Sequence, residues 1–148
     1  MTLKDGAGYF ALAIKLGILD CAAAVAWADG KILEIEAPPL WLIDLALSRD
    51  QGETLDMLRD APGVPTPDLV EKLVITLVRR RWLAGILSVD DIDSLATEII
   101  RSTEPEYDRI HKYGVWMCAV MIIEGINLEN SLHDELCAFE SFDAFLPE

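Results

Sequence analysis

Apolar residues recur along this chain every three or four positions, the spacing of helices that bury one face. Residues 8–16 carry Phe10, Ala13 and Ile14, and Gly17 closes that helix. Asp20 caps a second helix with Ala24, Val25, Ala28 and Ile32 on its inner positions. Pro38 and Pro39 open a third, bearing Trp41, Leu42, Leu45 and Ala46, because proline suits a first helical turn. Asp50 followed by Glu53 is a capping-box pattern, and Leu55 and Leu58 give the fourth helix its inner face. The stretch 61–67 holds three prolines and Gly63 and reads as an internal linker. Thr66 and Pro67 then read as N-cap and first residue of a fifth helix through Leu69, Leu73, Thr76, Leu77 and Arg80.

Ser88 and Asp91 repeat the capping box before a sixth helix through Ile92, Leu95, Ala96 and Ile99. Thr103 and Glu106 repeat it again before a seventh, 104–124, which Gly125 stops. An eighth begins near Ser131, is capped with Asp134 and ends around Phe142. No stretch reads as a strand, since the β-branched Val74 and Ile75 sit within helical periodicity. The expectation is an all-α protein, a compact bundle of about seven to eight helices in a single domain spanning 1–148. A chain of this length buries roughly 68–70% of its unfolded surface and needs no metal or disulfide to fold.

A weak internal repeat has an offset of 68 residues, counted from Gly17 to Gly85. Gly17, Ile18, Leu19 and Asp20 match Gly85, Ile86, Leu87 and Ser88, and Ala28 and Ile32 match Ala96 and Ile100. In each copy a helix ends at glycine, two apolar residues turn the chain, and Asp or Ser caps the next helix. The Ile-Leu pair is expected to pack into the core. A duplicated helical hairpin and a turn chemistry reached twice both fit.

Composition narrows the function. Acids number 26 against 12 Lys and Arg, a formal net charge of −14. That balance argues against nucleic acid as a direct partner, because phosphate binding needs a basic surface. It suits a basic protein partner, and it also suits plain solubility. The longest apolar run, 115–123, is about half of what a membrane-spanning helix needs. No secretory signal pattern stands at the start, so the expectation is a cytoplasmic protein without membrane contact. Cys21, Cys118 and Cys137 lack C-x-x-C spacing and read as buried free thiols.

Candidate chemistry is thin. His111 and His133 are the only histidines and form no zinc-ligand pattern. Cys118 and His111 lie two helical turns apart, about 10 Å, too far for a nucleophile–base pair. Arg79, Arg80 and Arg81 could hold phosphate, but near a helix C-terminus they also meet the negative end of its dipole. Around Asp29 and Gly30 the acids Glu34 and Glu36 suggest a calcium loop, yet Lys31 and Ile32 occupy ligand positions. There Gly30 is expected to end the helix while the acids face water. No catalytic residue, cofactor-binding residue or metal ligand is assigned.

The acids themselves are more telling. No Lys or Arg follows Lys112, while Glu124, Glu129, Asp134, Glu135, Glu140, Asp143 and Glu148 do. Phe139, Phe142 and Phe145 are interleaved with them. A second cluster comprises Asp90, Asp91 and Asp93. Aromatic anchors in a charged rim have the make-up of a binding hot spot, so Glu129, Asp134, Glu135, Glu140, Phe142, Asp143, Asp90, Asp91 and Asp93 are candidate partner-binding residues. Phenylalanines closing a core beneath a solvated helix would give the same pattern.

Three stretches carry a resemblance. They are Gly17 to Asp20, then Ala26, Trp27, Ala28 and Asp29, then the run from Pro38 to Leu45. Through them the first third of the chain resembles small helical bacterial orphan proteins, some encoded beside polymorphic or contact-dependent toxins. The resemblance implies an immunity protein that binds and neutralises a cognate basic toxin domain, a nuclease being the kind with a basic cleft. A helical adaptor or regulatory subunit is the alternative. The Asp29-Gly30 stretch is also similar to the acidic turn of tellurite-resistance helical proteins, which would imply metal binding.

Overall fold

The computed structural model describes residues 1–88, 90–92, 94, 95 and 98. The seventh and eighth helices expected from the sequence lie outside these residues. So do Cys118, Cys137, both histidines and the stretch 115–123.

Five helices are complete among the described residues, α1 (Leu3–Lys15), α2 (Cys21–Glu34), α3 (Leu40–Ala46), α4 (Gln51–Asp60) and α5 (Pro67–Leu83), and a sixth starts after Ser88. No described residue is in a strand. The chain divides into two compact units between Val74 and Ile75, inside α5 and not in the proline-rich stretch 61–67.

The described part of the first unit is Met1–Val74. The helix α1 starts earlier than apolar spacing suggests. Thr2 Oγ1 accepts the Asp5 N–H at 3.1 Å, and the Asp5 carboxylate accepts the Thr2 N–H at 2.8 Å, a reciprocal capping box. Gly6 and Gly8, which weaken the helical reading of this segment, are places where neighbours press close. A Cβ on Gly6 would lie 2.5 Å from Trp27 Cζ2, and one on Gly8 would lie 3.1 Å from Val70 Cγ2. At its other end α1 stops as expected. Gly17 has φ +69°, and the Ile18 N–H reaches back to the Ala13 carbonyl at 2.9 Å.

Asp20 caps α2 by accepting the Ala23 N–H at 3.0 Å. The helix does not end at Gly30; it runs on to Glu34 and is capped at Ile35. The cost of glycine inside a helix is about 1 kcal/mol, small beside the tertiary packing that holds α2 in place. Pro39 is the N-cap of α3, one place before the first turn, and Leu42 and Leu45 are fully buried. In α4 the Asp50 carboxylate accepts the Glu53 N–H at 2.9 Å, but Glu53 reaches past the cap to the Arg49 N–H instead of closing the box on Asp50. Leu58 and Thr54 are buried there.

These helices surround one core. α2 packs most extensively on α3, and α1 on α4. Ala7, Ala13, Ala24 and Ala28 are fully buried. An aromatic row ties three helices: Tyr9 meets Phe10 edge-on at 5.0 Å, Phe10 lies 5.2 Å from Trp27, and Trp27 lies 6.4 Å from Trp41.

From Ile75 the second unit begins. Its described part buries Ile75, Thr76, Val78, Arg79 and Ile92. Gly85 ends α5 with φ +69°, the same value as Gly17, and Ile86 donates to the Arg81 carbonyl at 2.8 Å. Ser88 and Asp91 form the expected capping box. The two Gly-Ile-Leu turns therefore share one backbone geometry but not one packing role. Ile18 is 4% exposed, as expected, whereas Ile86 is 62% exposed among the exposed Leu83, Ala84 and Gly85.

Candidate partner-binding surface

Helix α3 has two apolar faces. At about 100° per residue, Leu42 and Leu45 fall on one side, and Leu40, Ile43, Asp44 and Leu47 on the other. The first side is core. On the second, Leu40 is 71% exposed and Leu47, the C-cap residue, 69% exposed; Ile43 is half-buried. Asp44 is exposed within this stripe, and the exposed Glu34, Glu36, Asp50 and Glu53 lie on the flanking segments. Arg49 is the one exposed base between residues 34 and 53. Single exposed leucines are ordinary, but leucines at i and i+7 with Ile43 between them make a continuous outward stripe.

Sequence reasoning named the inward half of α3 and missed the outward half. The signal was the composition of residues 40–47, where Asp44 is the only charged residue in a short helix that one neighbouring core cannot cover on all sides.

Of the residues assigned to partner binding from the sequence, Asp90 and Asp91 are described, and both are exposed. The Asp91 carboxylate accepts the Ser88 hydroxyl at 2.6 Å and the Ser88 N–H at 2.8 Å. Those hydrogen bonds hold its carboxyl below the usual aspartate range. It is therefore committed to opening a helix. The Asp90 backbone carbonyl accepts the Ser94 hydroxyl at 3.0 Å, leaving its own carboxylate at the surface. Asp93, Glu129, Asp134, Glu135, Glu140, Phe142 and Asp143 lie outside the described residues.

The remaining candidates resolve differently. In the arginine run, Arg79 is buried, Arg81 half-buried and Arg80 exposed, so the three do not form one outward basic patch. Arg80 and Arg81 stand in the last turn of α5, where the helix dipole favours them. Asp29, Gly30 and Lys31 lie within α2, and Lys31 pairs with Glu34 three residues on. Among the described residues no three His, Cys, Asp or Glu side chains gather as a metal site would. Cys21 is a free thiol and only half-buried.

A buried acid was also missed, although Thr2 followed by Asp5 is a capping pattern. Besides capping α1, Asp5 Oδ1 accepts the Thr66 N–H at 2.8 Å, sixty-one positions away. Beside it, Lys4 Nζ donates to the Arg59 carbonyl at 2.7 Å, at the end of α4. Burial pushes the Asp5 carboxyl up, but hydrogen bonds from Thr66 and Thr2 outweigh it and leave the pKa at about 2. Asp5 fastens the stretch 61–67 to α1 and Lys4 fastens the end of α4 to it, which is structural work.

Comparison with family models, with curated proteins and with solved structures returns no match for this chain. No described helix is long and apolar enough to cross a membrane.

Proposed function

We propose that this chain is an acidic protein-binding protein of the immunity type, which neutralises a cognate toxin domain by covering its basic surface. One observation carries the reading. Among the described residues eleven acids are exposed: Asp20, Asp29, Glu34, Glu36, Asp44, Asp50, Glu53, Asp56, Asp60, Asp90 and Asp91. Four bases are exposed, Lys15, Arg49, Arg59 and Arg80, and Arg59 is already tied to Asp56 and Asp60. Such a surface attracts a basic partner over long range and repels nucleic acid. A nuclease domain is the favoured target, because its substrate obliges it to carry a basic cleft.

The test is co-expression with the C-terminal domain of the protein encoded immediately upstream. The expected result is that this domain arrests growth alone and that the chain restores it. A domain that is harmless, or one whose toxicity the chain leaves unchanged, overturns the immunity reading and favours an adaptor.

A further inference from the structure

Among the described residues nothing covers the outward stripe of α3, a helix whose other side is fixed in the core. Its leucines sit on a rigid element, since Leu42 and Leu45 anchor the same two turns. The rim is acidic. Between residues 34 and 53 five acids are exposed against the single base Arg49. An occupant must therefore offer apolar side chains with lysine or arginine around them. A second copy would bring its own Asp44 and Glu36 to the contact, and each copy carries a net charge of −14, so self-pairing meets like charge.

We propose that the outer face of α3, formed by Leu40, Ile43 and Leu47 with Asp44 among them and the exposed Glu36 on the segment leading into the helix, is the docking face for an apolar, lysine- or arginine-rimmed segment of a protein partner. The proposal deepens the protein-binding reading and rests on it for the partner's class. The leucines hold the docked complex, and the acids guide and orient it. Glu34 and Glu36, which from sequence alone look like solvated acids behind a helix end, then belong to the approach to this face.

The test maps binding on the full-length, nitrogen-15-labelled chain, with an amphipathic leucine–lysine peptide as probe and a leucine–glutamate peptide of the same pattern as control. The expected result is amide shifts centred on residues 40–47 with the lysine peptide and none with the glutamate peptide. The double variant Leu40→Gln, Leu47→Gln should weaken binding about tenfold or more while its melting temperature stays that of the parent, because glutamine keeps helix propensity at exposed sites. Asp44→Lys supplies a second reading that leaves the leucines intact, and it should weaken the lysine peptide also. Shifts spread evenly over exposed acids such as Asp20 and Asp56, or binding indifferent to both variants, would overturn the proposal. So would concentration-dependent shifts of residues 40–47 without any peptide, which would assign the face to a second copy. Restored growth in co-expression together with failure here would keep the immunity reading and move its interface elsewhere. The reverse pattern would keep the face and remove the toxin.

Discussion

Asp5 shows how one buried carboxylate can be held by donors alone. Its oxygens collect the Thr2 N–H, the Thr2 hydroxyl and the Thr66 N–H, and no cation is needed. With a folded pKa of about 2 against about 3.9 unfolded, the sign is fixed. The stabilisation is fully present above the unfolded value and is lost as pH falls through the folded one. Its size at neutral pH is about 2 kcal/mol. Asp5→Asn should therefore cost about 2 kcal/mol at pH 7 in urea unfolding, because the new amide nitrogen faces a donor. The gap between parent and variant should narrow as pH falls from about 4 toward 2. A gap that stays constant over that window would mean that Asp5 is not the ionised anchor described.

Two helical glycines make a sharper pair. Gly6 and Gly30 both lie inside helices, so propensity alone predicts that alanine stabilises each by up to about 1 kcal/mol. Packing reverses the sign at Gly6. Its new Cβ would stand 2.5 Å from the Trp27 ring, and that ring is held between Phe10 and Trp41. Gly30 has nothing within 4 Å. Gly6→Ala should lower stability by about 1–3 kcal/mol, as overpacking does, and Gly30→Ala should raise it. Thermal melts of the two variants check this directly, and equal signs would contradict the account.

At the scale of elements, what the sequence made legible was whatever short-range chemistry dictates. The caps at Asp20, Asp50 and Ser88 and the stops at Gly17 and Gly85 depend on neighbours within a turn, and the structure has them where the residues imply. What was not legible depends on partners far along the chain. The first turns of α1, with Gly6 and Gly8, fall outside or at the edge of the apolar spacing, because Trp27 and Val70, which press on these glycines, lie far along the sequence. The outward leucines of α3, Leu40 and Leu47, are not singled out, because an apolar pattern does not say which side faces a neighbour. Arg79 looked like the start of an exposed run, and burial within α5 separates it from Arg80.

The matched turns allow a test at this scale. Gly17 and Gly85 both have φ +69° and open space around them, so a substituted side chain meets backbone strain and no clash. Gly17→Val and Gly85→Val should each destabilise by more than about 1 kcal/mol. Asparagine, which tolerates the left-handed region, should recover much of the loss at both sites. Urea midpoints decide it. A neutral valine at either site would mean that the helix there ends by other means.

At the scale of the whole molecule, charge outweighs any single contact. A net −14 on 148 residues sets up a field that acts before contact and is screened over about 8–10 Å at physiological salt. Apolar stripes act only after contact and are indifferent to salt. The two contributions therefore separate kinetically with any protein partner that the chain binds. Its association rate should fall about tenfold or more as salt rises from low to high, while dissociation changes little. Reversing Glu36 and Asp44 to Lys and, separately, Asp134 and Glu135 to Lys alters the net charge equally. If the docking face is α3, the first reversal should slow association more, and Leu40→Gln should speed dissociation without altering the salt slope. Equal slowing by both reversals would mean that the global field steers and no local rim does. Dominance of the second would place the interface among the C-terminal acids. Association unaffected by salt would sink the charge-led account altogether, because a surface this acidic cannot guide a basic partner without screening showing in the rate.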